Sequence, residues 1–388
     1  MDGNRGGAEK TLAVIGASYL QMPLVRKAKE MGLRVICFAW KEGAVCAEAC
    51  DAFYPVSITE KEEILDICRR EHVDGVTSIA SDVAVPTIAF IAEKLGLSGN
   101  SVDSALKSTN KYMMRRALSE AGVPCPRFAE ISDASELTSV TSGLRYPLIV
   151  KPVDRSGSMG VMQVGNPSEL KPAVEAAMAC ALSQKAIVEE CITDMREISV
   201  EGISWNGNYR ILAVTDKVTT GKPHYVEVAH HQPSRISSDV RDRVEAAVRR
   251  GINALGIVCG ASHAELMITA SNDVFVTEIG ARMGGDFIGS TLVGLSTGID
   301  FLRAVVQCAL GEWSEPQAGP HARCAGVWFY SPTTNWVKSM IKNRVADARI
   351  VEAELQREDA IELGRSADRS GYFIYAANER FEAPLEKE

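Results

Sequence analysis

The chain has 388 residues, 46 % of them hydrophobic and 24 % charged, with 42 basic against 50 acidic side chains. That length exceeds one compact core and predicts two or three domains in a protein of ordinary globular composition. A net charge of −8 without a basic stripe argues against a nucleic-acid partner, and the longest apolar run, residues 83–92, falls far short of the ~20 residues of a membrane helix.

The first hundred residues alternate strand and helix patterns. Short apolar strands are expected at 11–15, 34–38 and 75–79, and helices at 19–31, 60–70 and 82–95, the first and last closed by Gly32 and Gly96. Such alternation predicts a parallel sheet covered by helices. Its first turn, Gly16-Ala17-Ser18-Tyr19-Leu20-Gln21, has Ser18 and Gln21 where a dinucleotide fingerprint requires glycine, so the turn reads as packing, not NAD binding. A second unit opens with a helix over 110–121 that stops at Gly122-Val123-Pro124. From 147 to about 311, strands, a Gly-rich loop and helices mix, and a Pro/Gly link at 315–320 leads into a last segment of strands and one short helix. The ten cysteines contain no C-x-x-C pair, and the polar N-terminus carries no apolar signal stretch. Free thiols in a reducing cytoplasm are the expectation.

Three places carry chemistry. Lys151 directly follows the apolar run 146–150, and Ser156-Gly157-Ser158-Met159-Gly160 comes next. Small residues let backbone N–H groups approach a phosphate, although no Gly-Lys-Ser/Thr closes the loop as in a Walker motif. A strand-end lysine beside a hairpin turn reads equally well. The run 187–192 is a strand with Glu189 and Glu190 at its end, and Glu197 follows. Glu265 and Glu278 lie on two predicted strands of one hairpin, 263–269 and 274–279. An even loop places them on one face as diagonal neighbours, and an odd loop would put them on opposite faces. Two carboxylates so placed repel unless a cation lies between them, and Mg²⁺ accepts such a pair while keeping sites for phosphate and water. Arg282 stands four residues on and offers a planar fork for an acyl or phosphoryl oxygen. Gly284-Gly285 then supply a turn with N–H groups. His230 and His231, with His224, Lys217 and Lys222 nearby, read as a substrate loop because a zinc site would need more ligands at defined spacing.

In order, Asn110-Lys111, Val150-Lys151-Pro152, the Ser/Gly loop, Val188-Glu189-Glu190-Cys191-Ile192, Glu265 and Glu278-Ile279-Gly280-Ala281-Arg282 resemble the ATP-grasp superfamily, in the carboxylate–amine ligase branch that includes L-amino-acid ligases. The resemblance covers nearly the whole chain. It implies an α/β and α+β architecture: a Rossmann-like parallel α/β domain over 1–105, an ATP-grasp core of two α+β subdomains over 106–314, and a small C-terminal domain over 315–388. It assigns Lys111, Lys151 and the loop Ser156, Gly157, Ser158, Met159 and Gly160 to the phosphates of ATP. Glu189, Glu190, Cys191 and Ile192 would hold adenine and Glu197 the ribose. Glu265 and Glu278 would bind Mg²⁺, with Mn²⁺ as the alternative ion. Arg282 would stabilise the carboxylate and its acyl phosphate, with Lys217, His230, Gly284 and Gly285 at the substrate. One departure stands out: Gly280 occupies a position where many members have Asn. The implied reaction joins a small carboxylate, an amino acid or a relative of one, to an amine with release of ADP and phosphate. The implied setting is cytoplasmic, compatible with a homodimer, and without nucleic acid or membrane. A purine-biosynthesis or biotin-carboxylase type of enzyme and a non-catalytic nucleotide-binding protein are the competing readings.

Overall fold

The computed structural model describes residues 9–383 and 385, apart from 134, 136, 156, 158 and 222–224. The first unit contains β1 (Thr11–Ile15), α1 (Met22–Glu30), β2 (Arg34–Phe38), β3 (Ala52–Tyr54), α2 (Lys61–Arg70), β4 (Gly75–Thr77) and α3 (Val85–Leu95). Its four strands are parallel in the order β3-β2-β1-β4. Alternation along β1 explains the layers. Ala13 and Ile15 pack with Ile64, Leu65 and Ile91 of α2 and α3. Leu12 and Val14 point the other way, into a cluster with Leu24 and Val25 of α1 and with Phe301, Val305 and Val306 from far down the chain. One face of the N-terminal sheet is therefore cemented to the rest of the molecule by apolar contact, the dominant favourable term in such packing.

The turn after β1 is closed by its own side chain. Gln21 Oε1 accepts from Ser18 N and Ser18 Oγ, and Gln21 Nε2 donates to Ile79 O at 2.7 Å. The glycine-free positions of the turn thus serve packing.

Next come α4 (Val102–Thr109) and α5 (Lys111–Glu120), the latter capped by Asn110, whose side chain accepts from Met113 N. A small antiparallel sheet follows in the order β5-β8-β6-β7, from β5 (Phe128–Ile131), β6 (Leu148–Pro152), β7 (Met162–Val164) and β8 (Ala186–Glu190), with α6 (Leu137–Thr141) and α7 (Pro167–Cys180) between them. The remaining strands are β9 (Met195–Trp205), β10 (Asn208–Thr219), β11 (Glu227–Gln232), β12 (Cys259–Thr269), β13 (Val274–Gly280), β14 (Cys324–Phe329), β15 (Ile350–Leu355) and β16 (Gly371–Ala377). They form one eight-stranded antiparallel sheet in the order β13-β12-β9-β10-β11-β14-β16-β15. Its helices are α8 (Ser238–Leu255), α9 (Val293–Thr297), α10 (Phe301–Ala309) and α11 (Val337–Lys342). The segment expected to stand apart from 315 onward has an apolar cluster around Trp328, Phe373 and Tyr375 that it shares with Ala229 of β11. Its strands nonetheless extend the large sheet and do not form a separate one.

The two faces of that sheet divide by chemistry. Ile198, Val200, Ala264, Leu266 and Ile268 face α8, which buries Val240, Val244, Val248 and Ile252 against them. The alternate residues of the same strands, Glu197, Ser199, Glu201, His263 and Glu265, share the opposite face. Register aligns them: His263 sits opposite Glu201, Glu265 opposite Ser199, and Lys217 opposite Glu197. Among the described residues no helix is long and apolar enough to cross a membrane.

His231 on β11 lies on the far side, against Trp328 and Tyr375, with its Nδ1 2.9 Å from the Tyr375 hydroxyl. Burial, then the charge of Arg380, pushes the imidazole down to about 3 from 6.5. The unfolded chain takes up a proton that the folded chain refuses, so this contribution to stability is complete above pH about 6.5 and is lost as pH falls toward about 3. Replacing His231 with Gln should make the fall of Tm across that window shallower than in the native chain. Thermal unfolding at several pH values checks this, and an identical slope removes His231 from the acid limb.

Candidate active site

The polar face is organised around a buried ammonium. Lys217 Nζ lies 2.5 Å from Glu197, 2.7 Å from Glu265 and 3.2 Å from Glu227, and its side chain is 2 % exposed. Burial opposes the charge, but the three carboxylates hold the Lys217 pKa well above its ordinary value. Lys217, expected at the substrate, pairs here with three carboxylates at once and lets them share one place. The three could by spacing hold a metal ion, since their nearest oxygens all fall within 4.8 Å. Here Lys217 fills that role.

The surroundings separate the acids. Burial, and then Glu265 and Glu227, outweigh Lys217 and raise Glu197 above the usual carboxylate range. For Glu265 burial again opposes ionisation, but Lys217 and His263 prevail and hold it well below that range. His263 pairs closely with buried Glu201 through Nδ1 and lies 3.3 Å from Glu265 through Nε2. Burial would lower the imidazole, yet Glu201 and Glu265 lift it to about 9. Sequence reasoning passed over His263 and Glu201. The period-two spacing of His263 to Glu265 was the available signal.

Glu278 stands directly opposite Glu265, not diagonal to it as the hairpin count predicted, because a register shift falls between Glu265 and Leu266. The two side chains keep 25 % and 29 % exposure. Glu278 meets Lys111 at 3.2 Å, and Lys111 also donates to Arg155 O at 2.7 Å. Lys111, at the start of α5, thereby ties the β6–β7 connection to the carboxylate pair. Directly opposed side chains on neighbouring strands stand about 5 Å apart at Cβ. Two half-open carboxylates at that spacing fit one hard divalent cation with room for phosphate and water.

Lys151 ends β6 beside the same connection. Its Nζ donates to Glu189 Oε2 at 2.7 Å, and Arg115 Nε lies 2.6 Å from Glu189 Oε1. Arg115 is wholly buried and Glu189 2 % exposed. Burial resists the charge on Glu189, but Arg115 and Lys151 lower it to about 2. The Glu189 side chain, expected at adenine, pairs here with Arg115 and Lys151. Glu190 likewise pairs with Arg127 and Arg145. The amides of Glu190 and Cys191 are bonded to Arg127 O and Pro147 O. Reading of a base would fall to the other backbone atoms here, up to Ile192. In the loop, Ser156 and Ser158 lie outside the described residues, as does His224. Gly157 and Gly160 take left-handed φ of 64° and 69°, and Met159 is exposed.

Arg282 follows β13 and forms a two-bond pair with Asp82 of the N-terminal unit, both at 2.8 Å. Gly284 N donates to Glu201 Oε2 at 3.1 Å, and a Cβ there would stand 2.7 Å from His263 Nδ1, so only glycine fits so close to that pair. Gly285 has more room, its nearest neighbour being Ala80. Asp286 forms a second two-bond pair with Arg369, at 2.7 and 2.8 Å, while the Arg369 guanidinium lies over the Phe329 ring. His230, 1 % exposed, stands with Nε2 3.6 Å from Asp286, and burial lowers its pKa. It reaches the open site through Asp286 and not by its own surface. Asp82, Arg115 and Arg369 gave no local sequence signal.

The Glu189 geometry generates a stability test. Glu189→Gln leaves Arg115 buried without its counter-charge, and removing one partner of a buried pair costs about 3–5 kcal/mol. Lys151→Ala keeps the Glu189–Arg115 pair and should cost clearly less. Chemical denaturation of both variants checks the order, and equal losses would show that Lys151 is the principal partner.

A family model described as an ATP-grasp domain matches residues 144–290. The chain is similar to alanine–anticapsin ligase of Bacillus subtilis, 25 % identical over 245 residues that cover 58 % of this chain and 51 % of the relative. It thus spans about half the length of that curated relative. Among solved structures it resembles the L-amino acid ligase of Bacillus licheniformis, with a TM-score of 0.78 and 24 % identity over 96 % of this chain and 94 % of the other. It also resembles the phosphoribosylglycinamide synthetase of Anaerococcus prevotii, with a TM-score of 0.75 and 21 % identity over 96 % and 95 %. At such identities the two structures speak for the fold, which is the same for both chemistries. The matched segment runs from the strand of Lys151 through the carboxylate hairpin to the glycines after Arg282, so this part of the chain is similar to an ATP-grasp domain.

Proposed function

We propose that the protein is an ATP-dependent carboxylate–amine ligase that activates a small carboxylate, an amino acid or a close relative of one, as an acyl phosphate. The observation that carries this is the direct opposition of Glu265 and Glu278, with Lys111 on Glu278 and Arg282 four residues on. The names of two relatives, an alanine–anticapsin ligase and an L-amino acid ligase, support an amino acid as the activated partner.

A Mg²⁺ ion held by Glu265 and Glu278 would screen the phosphate charges, and Mn²⁺ would serve in the same way. The chain's own groups do the rest by position and charge. Lys111 and Lys151 border the connection that faces the phosphates. Arg282 offers N–H groups to the carboxylate and then to its acyl phosphate. The substrate carboxylate oxygen bonds to the terminal phosphorus of ATP as ADP leaves. The amine nitrogen then bonds to the acyl carbon, phosphate departs, and the amine loses its proton. Lys217 and His263 fix Glu265, while Glu201 fixes both His263 and the Gly284 amide.

Glu278→Gln should abolish ADP release while leaving Tm near the native value, because Glu278 is half-exposed and held by one lysine. Full activity in that variant removes the metal assignment. Lys151→Ala should weaken ATP binding by about 2 kcal/mol, the scale of a lost charge-assisted contact. Calorimetric titration with ATP reads this directly.

The reaction is tested by measuring ADP and phosphate release across a panel of amino acids and carboxylates with hydroxylamine present. Substrate-dependent hydroxamate together with ADP is expected. AMP and pyrophosphate would mean an adenylate and would overturn the mechanism. ADP formed only with bicarbonate or a ribonucleotide would move the protein to the carboxylase or purine type, and no release with any acceptor would favour a nucleotide-binding protein without turnover.

A further inference from the structure

The residue that meets Arg282 comes from the N-terminal unit, 200 positions earlier in the chain. Arg282 Nε donates to Asp82 Oδ1 and Nη2 to Oδ2, both at 2.8 Å, while Nη1 donates to Met283 O at 3.3 Å. The two side chains are 13 % and 16 % exposed, so the pair is largely shielded from water. The Nε/Nη2 edge is one of the edges on which a guanidinium takes a carboxylate with two parallel bonds. Asp82 occupies it, which leaves an incoming carboxylate the edge formed by Nη1 and Nη2.

Position 280 explains how Asp82 comes so near. A Cβ on Gly280 would stand 3.1 Å from Asp82 Oδ1 and 3.4 Å from Cζ and Nε of Arg282. Gly280 ends β13, two residues after Glu278, and its φ lies outside the left-handed region, so the backbone does not demand glycine there. Space does. The carboxylate of Asp82 stands against the place where a side chain at 280 would begin. Lys111 and His263 act on the charge of Asp82 as well, which places it inside the same electrostatic field as the carboxylate hairpin.

We propose that Asp82 is a positioning residue that fixes the Arg282 guanidinium, and that Gly280 is the opening through which the N-terminal unit delivers it. Docking of the N-terminal sheet onto α10 and the aim of Arg282 are then one event. The carboxylate substrate meets an arginine with a single presented edge. The role given to Arg282 rests on the proposed carboxylate activation, whereas the contact between Asp82 and position 280 stands independently.

The test uses the full chain with Asp82→Asn, Gly280→Ala and the double variant. Asn cannot accept both guanidinium bonds, and the Ala methyl crowds Asp82 away from Arg282. Each single variant should raise KM for the carboxylate about tenfold or more, with KM for ATP changed less than about twofold. The double variant should be no worse than the poorer single one, because both remove the same contact. A lower Tm with an unchanged KM for the carboxylate would make Asp82 a clasp between units only and overturn the proposal. Additive effects would overturn the part given to Gly280. If the native chain turns over no carboxylate, the ligase reading fails by itself. The same three variants then report through Tm, where a non-additive cycle upholds the contact between Asp82 and position 280 and an additive one removes it.

Discussion

A single buried ammonium holds the centre of this molecule together. Lys217 neutralises part of a charge that Glu197, Glu227 and Glu265 could not otherwise carry side by side on one sheet face. Isolated buried charges are prohibitively costly, and only pairing with hydrogen bonds makes them tolerable. The face therefore exists as a set. Its strands can bring their carboxylates into register because β10 brings Lys217 opposite Glu197, and β12 brings His263 opposite Glu201. What results is an acidic surface whose members differ in proton affinity, with Glu197 raised and Glu265 depressed.

The second constraint is convergence on one short segment. Residues 278–286 receive Lys111 from α5, Asp82 from the N-terminal unit, Glu201 from the centre of the large sheet and Arg369 from the segment before β16. Each contact is a charged pair or a charge-assisted hydrogen bond, stronger and more directional than a neutral one. Apolar burial sets the coarse positions: α10 fastens the N-terminal sheet, and α8 backs the hairpin. The ion pairs then define orientation.

Much of this was legible from residue order alone. Alternation and the closing glycines place β1, β2, β4 and the helices α1 to α3 to within a few residues, whereas the short β3 (Ala52–Tyr54) and the capping role of Asn110 went unread. The same alternation put Glu265 and Glu278 on one face for an even loop and on opposite faces for an odd one. It missed their exact opposition, because a register shift is a property of the paired strands and leaves no mark on either one. Lys217 and Glu189 were legible as charged residues on strands, but residue type announces a charge and not its partner. Each meets its counter-ions on neighbouring elements, Glu189 on α5 and Lys217 on β12.

The sequence by itself determined the alternation of strands and helices in the first unit, the hairpin of Glu265 and Glu278, and an arginine four residues after it. These rest on local periodicity and on short spacings, which the backbone geometry of strands and helices makes rigid, whereas Lys111 entered through the family resemblance alone. Only the tertiary structure decided that Asp82 holds Arg282 and that Arg369 holds Asp286, pairs separated by 200 and 83 residues. The physical reason is that a charge finds its partner through the packing of whole units. Which carboxylate arrives beside a given arginine depends on how α10 and the two large faces bury their apolar side chains, far from either charged residue.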